Sequence, residues 1–262
     1  MQRKKIPQAL PALSVSALPR HVAVIMDGNG RWAKRHGQPR AFGHRAGVEA
    51  LRAVIRESSD LGIRALSLYA FSTENWARPA EEVRALMGLL LEFFGKEIEE
   101  LHKKNVRITI LGDVAGMPAP QREALCEAMA RTQGNTGLRL NIALNYGGRA
   151  DIVQAAQALA RQAVSGEIAP EDISEARFAQ ALYTGDLPDV DLLIRTSGEQ
   201  RLSNFLLYQC AYAEFVFTDV LWPDFGVDAY RRALAEYGRR ARRFGGLGKE
   251  QARPGVEGGG VC

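Results

Sequence analysis

The sequence predicts a single-domain α/β fold in which a central, mostly parallel sheet of about six strands is flanked by helices. Three observations carry this expectation. Six short apolar runs lack the alternation of a half-exposed strand, as strands buried on both faces of a parallel sheet do. Longer stretches of helical periodicity lie between the runs. Polar clusters, most of them glycine-containing, follow several runs, at the strand ends where open α/β sheets collect their ligand sites.

The runs are HVAVIMD (21–27), RALSLYAF (64–71), VRITILG (106–112), LRLNIALNY (138–146), VDLLIR (190–195) and EFVFTDV (214–220). Between the first two, HRAGVEALRAVIRESSDLG sets Val48, Leu51, Val54, Ile55 and Leu61 largely on one face and closes near Gly62. The stretch 79–105 opens on Pro79, which a first helical turn tolerates, and carries acids early and lysines late, as the helix dipole favours. Further helical patterns cover 118–133, 149–164, 174–182 and 227–243. The 79–105 helix has a stripe of Val83, Leu86, Met87, Leu90, Phe94, Ile98 and Leu101, with Leu89, Leu91 and Phe93 on other faces. A helix apolar nearly all round is either a central core helix or one that turns a face to an apolar ligand.

No repeat or linker divides the chain. Residues 1–19 read as a flexible arm, because three prolines interrupt the stretch and no signal-peptide core forms. Residues 20–245 read as the folded domain, and the glycine-rich 246–262 as a disordered tail. Hydrophobic residues make up 46% and charged residues 24%, as in soluble globular proteins, and the net charge of +4 marks no nucleic-acid binder by itself. Cys126, Cys210 and Cys262 are scattered, which argues against a disulfide framework or a zinc site and for a reducing cytoplasm. No window reaches the roughly 20 apolar residues of a membrane span, so a soluble protein that can touch a membrane surface is expected.

The chemistry concentrates in three places. DGNGRW follows the first run, and its glycines permit close backbone approach. It lacks the third small residue of GxGxxG, the GK[ST] of a P-loop and the glycine of an EF-hand loop. Asp27 alone reads as a capping residue of a glycine-rich turn. Arg31, Lys34, Arg35, His36, Arg40, His44 and Arg45 follow within fifteen residues. Such a run is a solvated basic surface or, with Trp32 and Phe42 interleaved, a diphosphate cradle. RTSGEQRLSN brings Arg195, Arg201 and Ser203 to another strand end, either as a loop paired to Glu199 or as a second anion site. FSTENWARP supplies Ser72, Thr73, Glu74, Asn75, Trp76 and Arg78, where an asparagine is most often a turn-former. Glu214 reads as a salt-bridge partner or, by strand-end position, as the carboxylate that joins Asp27 around a hard divalent cation.

Taken together, HVAVIMDGNGRWAKRHG, RAFGHRAG, LSLYAFSTENWARP, GNTGLRLNIALNYGGR, DLLIRTSGEQRLSNFLLYQCAYAEFVFTDVLWPDF and RRFGG resemble the cis-prenyltransferase family, in particular the bacterial undecaprenyl diphosphate synthases. The resemblance spans about residues 20–245 with no motif residue altered. It implies that Asp27 is the Mg²⁺ ligand at the allylic diphosphate and the residue catalysis depends on most. Gly28, Asn29, Gly30, Arg31, Arg40, His44 and Arg78 would cradle that diphosphate, with Trp32 and Trp76 bordering the allylic substrate. Arg195, Arg201, Leu202 and Ser203 would hold isopentenyl diphosphate. Glu214 would add a metal contact from the partner side of the cleft. Asn75 stands at the position of the proton acceptor, next to the substrate loop Ser72–Glu74. The reaction implied is extension of farnesyl diphosphate by isopentenyl diphosphate into a long cis-polyprenyl diphosphate, the lipid-carrier precursor of cell-wall synthesis, by a homodimer whose product partitions to membrane.

The chemistry agrees with that implication. Two polyanions brought together repel, which explains two Arg-rich loops, and the cations around Asp27 are expected to serve the substrate rather than the aspartate. A growing product needs an apolar tunnel, for which the 79–105 helix, Ala70 and Leu138 are the expected wall. No Asp-Asp-x-x-Asp stretch of the trans-type synthases occurs. A non-catalytic subunit of the same fold should lack Asp27 or the Arg195/Arg201/Ser203 loop, and this chain has both. A nucleic-acid-binding protein is favoured only by an isoelectric point near 9.

Overall fold

A computed structural model describes residue 13 and residues 17–240. The expectations for the N-terminal arm fall largely, and those for the 246–262 tail and the segment after residue 240 wholly, outside these residues. Six strands form one sheet in the order β3-β4-β2-β1-β5-β6, every neighbouring pair parallel. They are β1 (His21–Ile25), β2 (Ala65–Ser72), β3 (Arg107–Leu111), β4 (Arg139–Tyr146), β5 (Leu192–Arg195) and β6 (Glu214–Phe217). The four central strands are buried at almost every position, which is why their sequences read as apolar runs without alternation. Helices α2 (Arg40–Asp60), α3 (Ala80–Lys103), α4 (Ala119–Thr132), α5 (Gly148–Val164), α6 (Glu175–Ala181) and α7 (Val227–Arg239) fall on the expected stretches, and α1 (Asn29–Arg35) is a short helix after the first strand.

The core has two layers, one on each face of the sheet. On one, β1, β2, β4 and β5 residues such as Val24, Leu68 and Ile142 pack against α2, α3 and α7. On the other, Ala23, Ala143, Tyr146 and Leu193 pack against Phe205 and Leu206 of the loop after β5. The order places β1 and β5 side by side, so Ile25 pairs with Arg195 and the loops after both strands leave the sheet together.

Two local features shape what lies at that edge. Gly28 precedes α1 at φ 107, and a Cβ there would meet Leu221 Cδ2 at 2.9 Å and Ser197 Cβ at 3.0 Å. Only glycine fits both the backbone and the space. In β2 the pairing with β4 slips around Ala70, Tyr69 facing Ala143 and Phe71 facing Leu144. The irregularity breaks the two-residue alternation, and Tyr69, Ala70 and Phe71 all line one cavity.

Helix α2 crosses α1 at van der Waals limits, where a Cβ on Gly43 would sit 2.0 Å from the Asn29 carbonyl oxygen. Gly43→Ala is therefore expected to lower the unfolding free energy by ~1–3 kcal/mol. Gly88→Ala, in open space on α3, is expected to raise it by up to ~1 kcal/mol. Denaturant melts of the two variants check the contrast.

Candidate active site

The loops after β1, β2 and β5 and the facing ends of α2 and α3 enclose a cavity of about 720 Å³. Asp27, Asn29, Arg40, His44, Ser72, Glu74, Asn75, Arg78, Arg195, Arg201 and Ser203 line its polar part. Val48, Leu51, Leu86, Leu89, Leu90, Phe93, Ile142 and Leu144 line the apolar part. One face of α3 thus meets the sheet core, while another forms a wall of the cavity. Ala70 is part of that wall. Leu138, expected beside it, is buried at the other end of β4, and Ile142 and Leu144 take its place.

The cavity has two cationic corners. In the first, Arg78 Nη1 donates to Glu82 Oε1 at 2.9 Å, Arg40 Nε lies 3.2 Å from the same oxygen, and His44 Nε2 3.7 Å from it. Glu82 was not legible as a site residue. Its only signal is a position four residues after Arg78, one helical turn on. This carboxylate holds together two guanidinium groups from different elements that would otherwise repel. Burial drives the His44 imidazole down from the usual 6.5 to about 4, against the pull of Glu82 and with the help of Arg40 and Arg78. At neutral pH it is an uncharged hydrogen-bonding group.

In the second corner Arg195 is 3% exposed. Its Nη2 donates to Asp27 Oδ2 at 3.0 Å and its Nη1 to Ser203 Oγ at 2.8 Å and to the Arg201 carbonyl. The Asp27 side chain is 33% exposed. Its Oδ1 accepts from the Gly28 N–H, while its backbone is locked by Thr196, whose Oγ1 accepts from the Asp27 N–H and donates to the Asp27 carbonyl. Arg31 reaches over to Ser197 O, Ser197 Oγ and Glu199 and stays 4.0 Å from Asp27. Arg201 also bonds Glu199. Of the cations that follow Asp27 in sequence, Arg31 comes only to 4.0 Å, and the direct hydrogen-bonded partner of the aspartate is the distant Arg195. Thr196 and Ser197, inside the RTSGEQRLSN stretch, fix the aspartate and Arg31, a role that their residue types alone do not signal.

Other expected residues fall differently. Asn75 lines the cavity, and its Oδ1 accepts from the Ser72 N–H, so it is also the turn-former that asparagines in loops usually are. Thr73 donates to Glu74. Trp32 does not line the cavity; its indole N–H is bonded to Asp224 at 2.7 Å and its ring is stacked on His36. Trp76 does not line the cavity either; it bonds Asn145 and packs edge-on against Phe71, which does. Leu202 packs on the second core layer. Lys34, Arg35, His36 and Arg45 are exposed, so the basic run is part cradle and part solvated surface.

Glu214 needs the plainest correction. It is the first residue of β6, paired with Leu192 at the start of β5, and so lies at the opposite strand end from Asp27. Arg240 Nη1 donates to it at 2.7 Å. Within this chain it is a salt-bridge partner, not a second carboxylate of the Asp27 cleft.

The comparisons with known proteins decide the family. Residues 25–245 match the Prenyltransf family, described as "Putative undecaprenyl diphosphate synthase". This chain belongs to that family of cis-prenyltransferases. An isoprenyl transferase of Clostridium perfringens is 51% identical over 88% of this chain and 91% of its own length. A ditrans,polycis-undecaprenyl-diphosphate synthase ((2E,6E)-farnesyl-diphosphate specific) of Pasteurella multocida is 52% identical over 89% of this chain and 98% of its own. The crystal structure of lavandulyl diphosphate synthase from Lavandula x intermedia, in complex with dimethylallyl diphosphate, superimposes with a TM-score of 0.86 at 40% identity, covering 88% of this chain and all of that one. The six-stranded parallel sheet is the fold of the cis-prenyltransferases. Among the described residues no helix is long and apolar enough to cross a membrane.

Histidine titration offers a check on the site's electrostatics. Burial also lowers His21 from 6.5 to about 4. Between those values the unfolded chain takes up protons that the folded chain refuses, so these two groups stabilise the fold above pH 6.5 and lose that contribution as pH falls towards 4. NMR should show the His21 and His44 rings neutral and their shifts flat from pH 8 to about 5.5. A midpoint near 6.5 for either ring would contradict its burial.

Proposed function

We propose that this chain condenses isopentenyl diphosphate with an allylic diphosphate, farnesyl diphosphate as primer, and repeats the step to a long cis-polyprenyl diphosphate that serves as lipid-carrier precursor in cell-wall synthesis. The observation that supports it most is the pairing of two arginine-lined corners with one apolar cavity. Each corner suits one diphosphate, and the cavity, within the usual ~300–1,000 Å³ of small-molecule sites, suits the hydrocarbon. Catalysis by such an enzyme is positioning and charge stabilisation rather than covalent chemistry.

In the reaction the allylic C–O bond breaks, a carbon–carbon bond forms to the terminal methylene of isopentenyl diphosphate, and a proton leaves the latter's C2. Arg40, Arg78 and neutral His44, spaced by Glu82, bind the allylic diphosphate and take up the charge that grows on it as it departs. Arg195, Arg201 and Ser203 orient the second diphosphate. Asn75 is neutral and orients the proton's acceptor, a diphosphate oxygen or water, rather than acting as a strong base.

Among the described residues no group of three or more His, Cys, Asp or Glu side chains is arranged to hold a metal. Asp27 is a single, partly exposed carboxylate in the second corner, held by Arg195. That donor set fits Mg²⁺, which keeps several waters and takes its other ligands from substrate phosphates. Asp27 would hold it, and the ion would supply charge neutralisation for the leaving group. Dimerisation, with Glu214 contributing to a partner's cleft rather than its own, and partition of the product to membrane belong to the same proposal.

Purified protein given both diphosphates and Mg²⁺ is expected to form polyprenyl diphosphates longer than the primer. Asp27→Ala should lower kcat/KM by at least about 10²-fold, the scale of losing one preorganised charge contact, with an unchanged circular dichroism spectrum. Wild-type-like turnover in the variant would refute the role of Asp27, and absence of any longer product from the wild type would refute the reaction.

A further inference from the structure

The loop that ends at Ser203 is bound to the loop that carries Asn75, and one side chain makes the connection. Asn204 follows the Arg195/Arg201/Ser203 corner directly. Its Nδ2 donates to Glu74 Oε1 at 2.9 Å, across 130 residues of sequence. Its Oδ1 accepts from the Arg149 N–H at 2.9 Å and its carbonyl from the Gly148 N–H at 2.7 Å, both at the start of α5. A Cβ on Gly147 would lie 2.7 Å from Asn204 Nδ2 and 3.0 Å from Thr73 Oγ1, so the amide is wedged between two loops with no slack.

The backbone around it is unusual. Ser203, Asn204 and Leu206 all have positive φ, at 46°, 63° and 45°. Left-handed backbone at non-glycine residues is strained and persists only where surrounding contacts over-determine it. Here those contacts are the α5 amides below and Glu74 opposite. Tyr69 adds a third, donating from its hydroxyl to the Ser203 carbonyl at 3.2 Å.

We propose that Asn204 is a positioning residue that couples the two substrate corners, by bonding Glu74 of the Ser72–Trp76 turn to the strained loop that presents Ser203 and supports Arg195. Asn204 and Glu74 both line the cavity, at its polar part. A substrate that orders one loop therefore orders the other, and the second diphosphate finds its corner already built. The inference rests on the two-diphosphate reading of the cavity.

The bond's polarity gives a test. Asn204→Asp keeps size and shape, and its Oδ1 can still accept from the Arg149 N–H, but it sets a carboxylate against Glu74. It is expected to raise the KM for isopentenyl diphosphate about tenfold, with a smaller change in kcat. Adding Glu74→Gln reverses the bond, the introduced amide donating to the introduced carboxylate, and should recover most of that loss. An N204D enzyme with the wild-type KM, or a double variant no better than N204D, overturns the proposal, since a residue needed only for folding would show neither the KM change nor the rescue. If N204D does not fold, Glu74→Ala on its exposed side chain decides: the KM for isopentenyl diphosphate must rise, and an unchanged value overturns the coupling. Wild-type enzyme assayed alongside separates the two claims. No longer product from the wild type fails the functional reading, whereas an active wild type with an unaffected N204D fails only the coupling.

Discussion

The contact between Arg195 and Asp27 organises this molecule's working edge. A guanidinium at 3% exposure must be met by acceptors and opposite charge, or its desolvation would be prohibitive. Asp27 Oδ2, Ser203 Oγ and the Arg201 carbonyl meet it. Those partners lie after β1 and within the loop after β5. One buried cation therefore decides how two loops leave the sheet, and the parallel pairing of Ile25 with Arg195 brings the cation to that point.

The same constraint shapes the electrostatics. The site is not a bare basic patch: Glu82, Asp27 and Glu199 each hold cations in place before any substrate arrives. Arginines packed this closely could not stay near one another unpaired. Carboxylates lower the repulsion while leaving guanidinium edges directed at the cavity, which is the preorganisation that makes charge stabilisation effective in a partly dry site. His44 stays neutral chiefly because it is buried, with Arg40 and Arg78 adding to that effect against the pull of Glu82.

Most of the fold was legible in the sequence because doubly buried strands leave a mark that nothing else in this chain imitates. Val24, Leu68, Ile142 and Ile194 stand in runs without alternation, and the glycine-rich DGNG and the RTSG motif punctuate their ends. What could not be read was direction and partnership. Asp27 and Arg195 are 168 residues apart, and no spacing rule joins them. The resemblance set Trp32 beside the allylic substrate, yet from the middle of α1 its indole N–H bonds Asp224. Leu138, just before β4, and Glu214, first in β6, lie at the strand end opposite the ligand edge of this chain, which a reading by strand alone does not reveal. Glu82 was invisible because its role depends on α2 and α3 meeting, which is tertiary information.

The central claim is that Asp27 and Arg195 act as one unit, and a double-mutant cycle on kcat/KM measures that directly. Asp27→Asn and Arg195→Gln are each expected to be severely impaired. Because each single change already breaks the pair, the double variant should be little worse than the poorer single one, with a coupling energy above ~1.5 kcal/mol. Strictly additive losses, with each residue acting as though the other were absent, would contradict the account.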